Sequence, residues 1–149
     1  MTRTQKIALH LPRILLGLTF TVFGLNKLLH FASPPPPTGA ALTFFGGLVA
    51  AGYFLPLLAA TEIAAGVLLL RNRFVPLALT LLAPVIVNIL AFHAFLAPAG
   101  LGLPVVVLAA ELALAWQHRE AFAPMLRART TTTPAAELAP AREPLRVAA

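Results

Sequence analysis

The stretch IALHLPRILLGLTFTVFGLNKLLHF, residues 7–31, decides how the chain reads. It is long and apolar enough to be a membrane-spanning helix, which needs about 20 residues. Yet within five residues near its end it carries an amide, an ammonium and an imidazole, at Asn26, Lys27 and His30. Polar groups at that depth are expensive and face a bundle interior or water.

The composition agrees with a membrane setting. Of 149 residues, 59% are hydrophobic and only 11% charged, against roughly 25% charged in ordinary soluble domains. The length fits one small helical unit and leaves no room for a soluble catalytic domain. There is no cysteine, which removes thiolate catalysis, disulfide exchange, iron–sulfur clusters and cysteine zinc sites. The net charge of +6 collects at the ends of apolar runs. Anionic lipid headgroups are therefore the simpler partner, and nucleic acid is not expected. The N-terminal run resembles a signal peptide, but a cut after Ala32 would place His30 where a small residue is required. The expectation is a retained helix.

Four spans emerge, at about 9–31, 54–70, 74–96 and 103–118. The proline run in ASPPPPTGA, residues 32–40, ends the first. Four prolines in succession cannot be helical. The segment 40–51 is apolar but weakened by Gly46 and Gly47. It reads as a short interfacial or re-entrant helix. RNR at 71–73 and APAGLG at 97–102 are turns. Pro56, Pro76 and Pro104 each fall in a first helical turn, where proline is tolerated. The expected division is an N-terminus of residues 1–8, a transmembrane domain of 9–122 and a disordered basic tail of 123–149. The fold class is all-α, an integral membrane four-helix bundle.

Ten of the eleven Lys and Arg residues fall on one side of these spans and only Lys27 on the other. The positive-inside rule then places both termini in the cytoplasm. Depth follows from helix rise. Glu62 stands nine residues before Arg71 and Glu111 eight before Arg119, each about 12–13 Å deep. Asn26, Lys27 and Asn88 form a second layer roughly 20–22 Å from the same face. Asn26, Lys27, Glu62, Asn88 and Glu111 are thus the candidate ligand-binding or proton-handling residues. Lys27 can snorkel outward or bend inward to Glu62 or Glu111. The plainer alternative is a buried polar network that sets helix register. Gly17, Thr21 and Gly24 on the first span, and Ala59, Glu62 and Gly66 on the second, make small-residue stripes suited to close packing. His30 and His93 lie toward the outer face. With His10 and His118 opposite, they imitate a haem-like two-tier pattern. Interfacial histidines ordinarily face headgroups and water, so no metal site is expected.

Three stretches carry a family likeness: RILLGLTFTVFGLNKLLHF at 13–31, GYFLPLLAATEIAAGVLLLRNRFVPLALTLLAPVIVNILAFHAFL at 52–96, and ELALAWQHREAF at 111–122. Together they resemble the DoxX family of small four-helix bacterial membrane proteins, over roughly residues 9–122. The Asn-Lys pair, the second-span Glu and the Asn-x4-His of the third span carry most of the likeness. The proline run and the tail stand outside it. The resemblance implies a multi-pass protein of the bacterial inner membrane. Related proteins include the membrane subunit of a thiosulfate:quinone oxidoreductase and members implicated in oxidative-stress assemblies. The expected function is therefore the quinone-interacting membrane component of a redox system, not a self-sufficient enzyme. A quinone is its candidate cofactor, and a redox partner protein or a second copy its candidate partners. The alternative is a non-enzymatic bundle, either a proton-coupled small-solute transporter or a membrane scaffold. No catalytic residue is assigned.

Overall fold

The computed structural model describes residues 3–33 and 35–128. Among them it contains six α-helices and no strand: α1 (Arg3–Leu29), α2 (Gly39–Ala50), α3 (Phe54–Leu70), α4 (Val75–Phe95), α5 (Gly102–Gln117) and α6 (Arg119–Phe122). The expected tail from residue 129 onward lies outside the described residues.

The helix boundaries follow local chemistry. α1 ends where His30 takes a left-handed backbone, φ 52°. Asn26 clamps the chain just beyond it: its Nδ2 donates to Ala32 O at 2.9 Å and its Oδ1 accepts from Ala32 N at 2.7 Å. α3 ends in a Schellman motif. Arg73 N donates to Leu68 O and Asn72 N to Leu69 O, both at 3.0 Å. The left-handed residue is Asn72, φ 53°, one of the few non-glycine types that adopt it readily. The turn before α5 is a 3₁₀ turn, Pro98–Gly100.

Helical structure runs past two of the boundaries expected for the spans. α1 begins at Arg3 rather than near residue 9, so residues 3–8 belong to the helix. Hydropathy sets where a helix meets the bilayer, not where it starts, and extending a formed helix costs little. α5 ends at Gln117. The backbone at His118 (φ −107°, ψ 18°) breaks it, α6 follows, and a 3₁₀ turn over Ala123–Leu126 carries ordered structure past the expected start of the tail.

α1 packs on α3 and α5, and α4 packs on α3 and α5. Leu16, Phe20, Leu69, Leu79, Leu82, Ile86 and Leu114 meet in the core these helices enclose. The α1–α3 contact is antiparallel and close. A Cβ placed on Gly66 would stand 2.8 Å from Thr21 N and 2.9 Å from Gly17 O, and one on Gly24 would stand 3.1 Å from Ala59 O. Arg13 of α1 reaches across and donates through Nη1 to Leu69 O and to Leu70 O, the latter at 3.1 Å. These carbonyls belong to the last turn of α3, which has no partners within its own helix.

The outside is apolar. Leu11, Leu18, Leu57, Val87, Leu112 and Trp116 are all more than half exposed. Soluble monomers rarely expose contiguous apolar surface on this scale. α4 is long and apolar enough to cross a membrane alone, with 21 residues and an 18-residue stretch of mean hydropathy 2.3. α2 and α3 meet at a bend of 89°, so α2 lies across the axis of α3.

Gly66→Ala is expected to destabilise the protein by about 1–3 kcal/mol, because the methyl group meets backbone that cannot step aside. Gly46→Ala, with open space around it, is expected to be neutral or mildly stabilising. Thermal unfolding of the two variants in detergent checks the pair.

Candidate functional site

Lys27 sits three residues beyond Gly24, where α1 lies close against α3. Its Nζ lies 2.6 Å from Glu62 Oε2. The two side chains are 25% and 1% exposed. Lys27 therefore bends inward, and of the two carboxylates the sequence offered it pairs with Glu62. Helix counting had put the two residues in layers about 7 Å apart. The lysine stem closes that gap.

A cavity of about 360 Å³ opens beside this pair. Lys27, Glu62, Asn88 and His93 supply its polar groups. The rest of the wall is apolar and largely aromatic, with Phe44 from α2, Phe54 from α3, and Pro84 and Phe92 from α4. The crosswise course of α2 roofs the cavity. Phe44 touches Phe92 there, ring centroids 5.7 Å apart. Pro84 stands one turn before Asn88 in α4, at the kink-prone point of the helix. An apolar slot of this size with a few convergent polar groups is the usual form of a small-molecule site.

The other sequence candidates lie elsewhere. The amide of Asn26 is occupied by the backbone of Ala32 and lines no part of the cavity. Glu111 lies on the inward face of α5, 6% exposed, and its Oε2 has no hydrogen-bond partner among the described residues. It is one turn beyond Val107 and also lines no part of the cavity. His30 is exposed at the end of α1. His93, expected as an outer-face residue, is half-buried and faces the cavity. Its Nδ1 is 2.8 Å from Ile89 O. Among the described residues no three His or Glu side chains gather to hold a metal ion.

Sequence reading missed the aromatic roof. Phe44 and Phe45 form an apolar pair on a helix too short to span, which is a signal that such a helix covers something. Arg13 is one of the ten basic residues that the sequence places on the cytoplasmic side, with no further role assigned. Its position six residues inside the apolar run hinted at a partner, and the open end of α3 is that partner.

The fold and the site together define a helical membrane protein with an apolar, charge-lined internal cavity. The family model of DoxX matches residues 8–94, more than half of the chain, and the chain belongs to the DoxX family. No curated protein and no solved structure matches it. The matched region contains Lys27, Glu62, Asn88 and His93 and stops before α5. The stretch ELALAWQHREAF, with Glu111, lies outside it.

Lys27→Met is expected to lower stability by about 3–5 kcal/mol, because it leaves the Glu62 carboxylate buried without its counter-charge. The double variant Lys27→Met/Glu62→Leu is expected to recover most of that loss. A double-mutant cycle on unfolding midpoints reads the coupling.

Proposed function

We propose that α1, α3, α4 and α5 form a transmembrane four-helix bundle of the bacterial inner membrane, with both termini in the cytoplasm. Its cavity binds a quinone-type ring as the membrane component of a redox system. The observation that carries this reading is the Lys27–Glu62 pair in the wall of an otherwise apolar, aromatic slot. α3 and α5 have 17 and 16 residues, about 25 Å of helix, which suits a bilayer core with modest thinning. The exposed apolar exterior suits lipid contact.

The residues have clear capacities. The Lys27 ammonium has three N–H groups. One serves Glu62, and the others can donate to a carbonyl oxygen in the cavity. The amide of Asn88 can donate or accept. Phe44, Phe54 and Phe92 offer ring faces for stacking. When bound, such a ring supplies a two-electron acceptor, and each of its oxygens must gain a proton on reduction. Lys27 and Glu62 are the groups placed to hold protons at that wall. The electrons come from a partner protein.

Organic extracts of the purified protein, read by mass spectrometry, are expected to contain a quinone near one per chain. Glu62→Gln should deplete it about tenfold. An extract holding only phospholipid overturns this reading in favour of the transporter or scaffold. The topology has its own check, since the chain lacks cysteine. In intact cells, a membrane-impermeant maleimide should label Ser33→Cys and should reach Asn72→Cys only after permeabilisation.

A further inference from the structure

A second cavity, of about 270 Å³, lies between α1, α4 and α5. It shares Lys27, Glu62, Ile89 and His93 with the first and has its own remaining walls. Those walls are Thr19, Phe20 and Phe23 of α1, Gly100 of the 3₁₀ turn, and Leu103, Pro104 and Val107 of α5. The ion pair and His93 thus form a partition between two apolar chambers. The α5 side of the second chamber, with Gly100, lies beyond the region that the family match covers.

His93 gives this chamber its chemistry. Its Nδ1 lies 2.8 Å from Ile89 O. A carbonyl only accepts, so Nδ1 carries the proton, and in the neutral ring Nε2 carries the lone pair. The Cδ2–Nε2 edge lies against Gly100. A Cβ at that residue would stand 2.7 Å from Cδ2 and 3.0 Å from Nε2. Gly100 lines the second chamber and not the first. The glycine thus leaves room for the imidazole to present its acceptor nitrogen on that side.

We propose that the second chamber is a separate binding site for a hydroxylated aromatic ring of the phenol class, whose O–H donates to His93 Nε2. The dimensions suit such a molecule. An apolar cavity of about 150 Å³ takes a benzene ring, so this one holds a fused two-ring system with a hydroxyl group. Phe20 and Phe23 offer the ring faces. Lys27 and Glu62 line both chambers, and the first differs by the amide of Asn88 and the aromatic roof from α2, the second by Gly100 against the imidazole edge. The proposal stands on the second chamber alone and does not depend on a quinone in the first.

The test compares 1-naphthol with 1-methylnaphthalene, which replaces the hydroxyl by a methyl of similar size. Equilibrium dialysis of the full chain in detergent, against empty micelles, gives both affinities. Wild type is expected to prefer 1-naphthol about tenfold, the worth of one good hydrogen bond. His93→Phe should bind both probes equally, and Gly100→Ala should weaken the preference by pressing on the imidazole. Val107→Phe should abolish binding of both probes. Leu103→Trp should do the same from a residue that is 53% exposed, without loading the core. Val85→Phe, which fills only the first chamber, should change neither affinity. The proposal is overturned if wild type shows no preference, if the preference survives His93→Phe, or if Val85→Phe removes binding while Leu103→Trp does not.

Discussion

A charge left alone in hydrocarbon costs several kcal/mol, and the Lys27–Glu62 pair is how this chain meets that constraint. The pair requires α1 and α3 to lie close together over several turns. Gly17, Gly24 and Gly66 allow this, since a side chain at Gly66 would collide with the backbone of α1. Once the two helices are seated, Lys27 has one buried carboxylate within reach, and the cavity forms where α4 and α2 close over it. Helix approach, ion pair and cavity are therefore linked: loosening the first exposes the second and reshapes the third.

The helix ends solve a second problem. In a bilayer, the last carbonyls of a helix cannot rely on water. α3 satisfies its own by the Schellman turn at Asn72 and by the guanidinium of Arg13, donated from α1. Arg13 thus joins the same two helices at one end that Lys27 joins further along, so the glycine contacts of the seam lie between two charge contacts. A cation near a helix C-terminus is also favoured by the helix dipole. Glu111 stands apart from this seam. It is buried on α5 with an unpartnered oxygen, and the cavities do not reach it.

Much was legible in the sequence because the signals are local. Runs of apolar residues, the proline run, the RNR turn and prolines in first turns mark where helices begin and end. The α3 and α4 boundaries fall within a residue of that reading. The small-residue stripes indicated the α1–α3 seam, since small side chains at helical spacing have few other uses in a membrane helix. The helical start of α1 at Arg3 was not legible, because hydropathy reports the membrane boundary and not the helix boundary.

Which polar groups meet was not legible, because it depends on helix rotation and on the reach of side chains between helices far apart in the chain. Lys27 finds Glu62 and not Glu111. Asn26, its immediate neighbour, turns to the backbone of Ala32, because adjacent residues on a helix point about 100° apart. His93 faces inward only because α4 is rotated to bring it against Gly100. By itself the sequence determined the helices, their apolar exteriors and the presence of charges that must be buried. The tertiary structure alone decided which charges pair and where the space between helices remains open, since both depend on contacts between segments that local pattern does not encode.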